Sequence, residues 1–169
     1  MSSSRRQKKS GYYDNTIFIL TADHVSGFAG KSGDVPSLHH VPLLVVAPGL
    51  KPGTTTRIGG QVDVIPTLTE LAGWRAPQAS LGHSLLDTRN DATRGTLCVR
   101  GNVIERIEDK GWVAHDLTQR VSASPGAREG DLKVMETRLL AMYQVGHTLL
   151  LRNRIFPPAS RPTSTEVAR

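Results

Sequence analysis

The sequence predicts an α/β fold, and three features carry that prediction. Two unbroken apolar runs, residues 16–21 "TIFILT" and 41–47 "VPLLVVA", suit strands covered on both faces in a mostly parallel sheet. Residues 96–116, with short β-rich runs around Gly101 and Gly111, suit a small antiparallel hairpin or meander. From Asp131 onward, Leu132, Met135, Leu139, Met142 and Leu149 recur at helical spacing, the stripe of an amphipathic helix ending near Arg154. The order strand, loop, strand, helix, small sheet, helix is that of the later part of an α/β domain.

Taken along the chain, residues 1–11 form a basic segment in which Arg5, Arg6, Lys8 and Lys9 supply four charges of the net +6. The body, residues 12–156, is one domain's worth of ordinary soluble composition and carries a net charge of only about +1. A solvated segment accounts for the basic run better than a nucleic-acid arm, since no nucleic-acid motif accompanies it. Cys98 is the only cysteine, which excludes an internal disulfide framework and a cysteine-rich metal site. No apolar run approaches the ~18–20 residues of a membrane span, and the charged start lacks the apolar stretch of a secretory signal.

The loop between the two apolar runs, about twenty residues long with Gly and Ser throughout, exceeds the ~12–15 residues at which a structureless loop becomes unusual, and such loops are usually functional or disordered. Residues 63–74, "DVIPTLTELAGW", predict a short helix with Asp63 as N-cap, Pro66 in the first turn, Gly73 closing it, and Ile65, Leu68 and Leu71 or Ala72 facing inward. Residues 157–169 have the composition of a disordered tail.

Asp23 and His24 stand where the first strand runs out, and ligands in open sheets gather beyond the carboxyl ends of strands. A carboxylate beside an imidazole suits zinc or manganese, with calcium or magnesium as alternatives, although such a pair at a strand end more often serves as a cap. Lys31 in the same loop, and His39 and His40 at the mouth of the second strand, make the group an anion site, each stabilising charge on a transferring phosphoryl or sulfuryl group. Each has a plainer alternative: Lys31 as a solvated cation, His39 as an exposed loop residue, His40 as a satisfied core histidine.

The ordered set "NTIFILTADH", "GK", "HHVPLLVVAPGLKPG", "GGQVDVIPTLTELAGW" and "LGHSLLD", covering residues 12–87, resembles the later half of the sulfatase-like branch of the alkaline phosphatase superfamily. Within that branch it is most similar to lipoteichoic acid synthase-type proteins, which transfer phosphoglycerol units. The resemblance implies the C-terminal part of a three-layer α/β/α domain, with a small antiparallel sheet and a final helix. It implies Asp23 and His24 as ligands of a divalent metal, Lys31 and His40 as catalytic groups facing the substrate anion with His39 nearby, and Asp63 as structural. It further implies a phosphate or sulfate ester substrate and a membrane-anchored, extracytoplasmic setting.

The family's nucleophile, a threonine, serine or modified cysteine, lies in the earlier half with another acidic metal ligand. Thr21 and Ser26 are the hydroxyls near the metal pair, and neither matches that position. The sequence therefore reads as a piece of a metal-dependent phospho- or sulfo-ester hydrolase or transferase that lacks the upstream, nucleophile-bearing half, as a truncated gene model, a fragment or a split product would. A non-catalytic scaffold pairing with another chain is the second reading, and a basic nucleic-acid-binding module the third.

Overall fold

The computed structural model describes residues 11–25, 34–75 and 80–154. The basic segment 1–10, Lys31 and the tail 157–169 lie outside the described residues.

Strand β1 (Phe18–Thr21) pairs with β2 (Leu43–Val46), Phe18 standing opposite Val46 and Thr21 opposite Leu43. The pair is antiparallel, which corrects the expectation of a parallel sheet here. An unbroken apolar run reports that both faces want cover and says nothing of strand direction. Helix α1 (Val35–His39) lies on the connection, and the chain returns alongside β1 instead of crossing over. The rings of Tyr12 and Tyr13, 6.3 and 6.2 Å from that of Phe18, cover part of β1. Leu20 and Leu44 nevertheless remain 55% and 56% exposed.

A 3-10 turn (Gln61–Asp63) leads into helix α2 (Val64–Leu71). Asp63 is helical itself and makes no N-cap bond to α2, so its predicted role as N-cap is corrected. Its buried carboxylate instead accepts the Gly60 N–H at 2.8 Å and the His83 N–H at 2.7 Å, locking the turn to the segment that follows α2. Gly82 must stay glycine there, because a Cβ would come within 2.2 Å of the Val62 carbonyl oxygen. The "QVD" and "LGH" motifs are therefore two halves of one packing joint. Gly73, at φ +67°, ends the helix, with the Trp74 N–H reaching back to the Thr69 carbonyl at 2.9 Å. The predicted inward face is wrong in part: Ile65 is 54% exposed, while Thr67 and Thr69 are buried and hydrogen-bonded to the helix's own carbonyls.

Strands β3 (Gly95–Arg100), β4 (Val103–Glu108), β5 (Gly111–His115) and β6 (Arg120–Ala123) form a four-stranded antiparallel meander, one strand longer than the sequence indicates. Helix α3 (Glu129–Leu151) lies on one face, where Leu132, Met135 and Leu139 pack on Ile104 and Val113. On the other face, Val35 of α1 packs on Ile107, Trp112 and Ala114. Strand β4, "VIERIE", is thus covered on both sides, and its charges are paired on both. Towards α3, Arg106 binds Glu108 at 2.5 Å, and Arg138 of the helix reaches Glu108 at 3.0 Å. Towards α1, Glu105, with no exposed surface, meets Arg100 and His39.

These contacts set two expectations for denaturant unfolding. Leu139→Ala should cost ~2–5 kcal/mol, whereas Leu150→Ala, at an exposed position on the same helix, should stay within about 0.5 kcal/mol of the parent. Glu108→Ala, which leaves Arg106 buried without its carboxylate and removes the partner of Arg138 on the helix, should cost ~3–5 kcal/mol, and a loss below about 1 kcal/mol would show that this charge cluster does not hold the sheet to the helix.

Candidate functional site

Asp23 and His24 follow β1 directly and stand at its carboxyl end, as the sequence indicates. Both are highly exposed, their side chains 89% and 78% so. The His24 N–H donates to Asp23 Oδ1 at 3.0 Å, an arrangement that turns carboxylate and ring to the same side. His24 Nδ1 lies 2.7 Å from the Val25 carbonyl oxygen, so Nδ1 carries the proton there and Nε2 is left with its lone pair. That Nε2 stands 3.7 Å from Asp23 Oδ2. The Val25 carbonyl first, and the Asp23 carboxylate second, raise the pKa of His24 above its ordinary value. Gln61, in the turn before α2, donates to the Asp23 carbonyl at 3.0 Å and ties the strand end to the Asp63 joint.

This geometry fits two adjacent ligands of one cation: an oxygen and a lone-pair nitrogen side by side, the imidazole oriented by a carbonyl on its other nitrogen. It is a partial set. Among the described residues, no group of three or more His, Cys, Asp or Glu side chains could hold a metal ion.

Asp23, His24, His39 and His40 all line one open cleft of about 1060 Å³ between the end of β1, α1 and the edge of the meander. The structure thus brings four of the five sequence-predicted site residues to one surface without gathering them on one point. His40 is exposed, at the C-cap of α1. His39 is not the exposed loop residue of the plainer reading: its side chain is only 20% exposed, and its Nε2 lies 2.5 Å from Glu105 Oε2. Lys31 and Ser26 lie outside the described residues. Thr21, whose hydroxyl donates weakly to the Ala22 carbonyl at 3.4 Å, also lines the cleft.

Two cleft features were missed in the sequence. Cys98 reaches the wall, but burial first and the Glu105 carboxylate second push its thiol up to about 11, so it is not a thiolate nucleophile at neutral pH. Glu105 itself, behind His39, was read only as part of a hairpin. Its one sequence signal is a carboxylate in the middle of a strand with no solvent face.

Residues 6–74 match the family model described as Sulfatase. The chain is 33% identical over 86 residues to "Lipoteichoic acid synthase-like YvgJ" of Bacillus subtilis (strain 168), covering 41% of this chain and 14% of that protein. It is 32% identical over 92 residues to Arylsulfatase K of Danio rerio, 47% of this chain and 16% of that one. It is 39% identical over 75 residues to an ulvan-active sulfatase of Formosa agariphila, 43% and 15% respectively. The chain thus spans 14–16% of the length of these relatives. In three dimensions it is similar to a crystal structure of an alkaline phosphatase superfamily protein from Vibrio parahaemolyticus, with a TM-score of 0.66 at 22% identity, over 86% of this chain and 38% of that one. Residues 6–74 therefore match the sulfatase sequence pattern, and over 86% of its length the chain shares part of the fold of that crystal structure, mixed α/β with antiparallel sheets and a C-terminal helix.

Proposed function

We propose that this chain supplies part of the metal and anion site of a phospho- or sulfo-ester hydrolase or phosphoglycerol-type transferase. The observation that carries the reading is the Asp23–His24 pair at the carboxyl end of β1, with His24 Nδ1 satisfied by a carbonyl and Nε2 turned towards the carboxylate. Asp23 and His24 would hold the divalent cation, manganese or zinc before calcium or magnesium, and bound there it would supply Lewis-acid stabilisation of charge on the ester's oxygens. The remaining ligands and the nucleophile come from outside the described residues. His40 and Lys31 are assigned to the substrate anion, and His39 to the cleft wall beside it. The membrane-anchored, extracytoplasmic setting belongs to the same proposal. It does not rest on this chain's helices, since among the described residues none is long and apolar enough to cross a membrane.

A second reading, a scaffold that pairs with another polypeptide and performs no chemistry, is favoured by one observation. Strands β1 and β2 are apolar on both faces and uncovered at Leu20, Leu43 and Leu44. The two readings part on metal binding and on completion of the site.

Two ligands leave most of the coordination sphere to water, so the chain should bind Mn²⁺ or Zn²⁺ with a Kd on the order of a millimolar in calorimetry, and Asp23→Asn should abolish it. Tight, stoichiometric binding that survives Asp23→Asn would sink the assignment. Because a metal needs the neutral imidazole and His24 holds its proton to a higher pH than usual, affinity should fall as pH drops through that raised pKa. Asp23→Asn should lower the His24 pKa only in part, since the Val25 carbonyl is the larger cause; an NMR titration reads this directly.

The chain alone should not turn over p-nitrophenyl phosphate or sulfate, because misplacing a reacting group by ~1 Å already costs about a hundredfold. An upstream segment bearing the nucleophile, added in cis or as a second polypeptide, should restore turnover that Asp23→Ala abolishes. Turnover by the chain alone that Asp23→Ala or His24→Ala removes would mean that a complete site is already present.

A further inference from the structure

We propose that Glu105 and Arg100 are positioning residues for His39, holding its imidazole in the tautomer that offers Nδ1 to the cleft as a proton acceptor. The inference rests on the reading of the cleft as an ester site and adds to it a group that receives a hydrogen bond from a hydroxyl, whether of water, an alcohol or a monoprotonated phosphate.

Glu105 sits in the middle of β4 with no exposed surface, and both its oxygens are engaged. Oε1 accepts from Arg100 Nη2 at 2.8 Å, and Oε2 lies 2.5 Å from His39 Nε2. Arg100 donates only, so it fixes the carboxylate as an acceptor on both sides. His39 must then carry a proton on Nε2, so that in the neutral ring it is Nδ1 that holds the lone pair. Among the described residues, Glu105 is the one partner of that ring, and the ring lines the same cleft as His24. The arrangement mirrors His24, where a carbonyl takes Nδ1 and frees Nε2. Helix α1 is also anchored on this same face of the sheet by Val35 on Ile107 and Trp112, so the helix that carries the ring is held by packing as well as by the pair. A carboxylate behind an imidazole sets which nitrogen faces the ligand.

Glu105→Gln tests this with a signature that packing alone does not produce. Arg100, still a donor, takes the amide oxygen, and the amide NH₂ is left facing His39 Nε2, which must become an acceptor. In ¹⁵N-histidine NMR of the full chain, His39 should therefore be the Nε2–H form in the native protein and the Nδ1–H form in Glu105→Gln, with isoleucine and methionine methyl spectra reporting that the fold is kept. The native reading needs no variant, so it stands if the variant unfolds. Inorganic phosphate should shift the His39 ring signals of the native chain, and the shift should be lost in Glu105→Gln. A native Nδ1–H form, or no change of tautomer in a folded variant, overturns the positioning role. A phosphate response at His24 without one at His39 overturns it also, whereas no response at either histidine counts against the ester-site reading itself.

Discussion

The described structure depends on one strand that is buried on both faces and still carries three charges. Burial of Glu105, Arg106 and Glu108 is tolerable only because each meets an opposite charge, and leaving any one alone costs more than the pair contributes. The strand's alternation divides these charges between two layers. Arg106 and Glu108 bind the sheet to α3 through Arg138, while Glu105 binds it to α1 through His39. The wall of the cleft is therefore attached to the best-packed part of the molecule. The Asp23–His24 pair is attached to it less directly, through Gln61 and the Asp63 joint.

A different condition holds at β1 and β2. Their residues have the composition of strands covered on both faces, yet Leu20 and Leu44 stand more than half exposed. Two paired strands alone are marginal in water, and apolar surface of this kind marks an interaction site. Asp23 and His24 lie just beyond the end of β1, so in the proposed reading a partner covering these apolar faces would stand beside the pair.

Much of this was legible in the sequence where the pattern is local. The stripe through Leu132, Met135 and Leu139 identifies α3 and its buried face, and the glycine-punctuated runs identify the meander. The Asp-His pair after an apolar run stands, as its place in the sequence indicates, beyond the carboxyl end of β1. Direction and long-range pairing were not legible. The apolar runs give burial without orientation, so the antiparallel pairing of β1 with β2 was missed. The motif "VIERIE" was legible only as part of a hairpin or meander, because charges in a strand are normally exposed and nothing local marks these as buried. The partner of His39 lies 66 residues away, beyond any local pattern. Asp63 was identified as structural from its place before a helix, but its bond to His83 depends on a chain reversal that spacing does not encode.

The central claim is that Asp23 and His24 form two adjacent ligands of one cation. The most direct measurement is a crystal structure of the chain soaked in Mn²⁺, with diffraction recorded at the manganese edge. The account predicts an anomalous peak within bonding distance of Asp23 Oδ2 and His24 Nε2, with water in the remaining positions and His24 Nδ1 still on the Val25 carbonyl. A manganese ion bound elsewhere in the cleft, with Asp23 and His24 left unliganded, would contradict it.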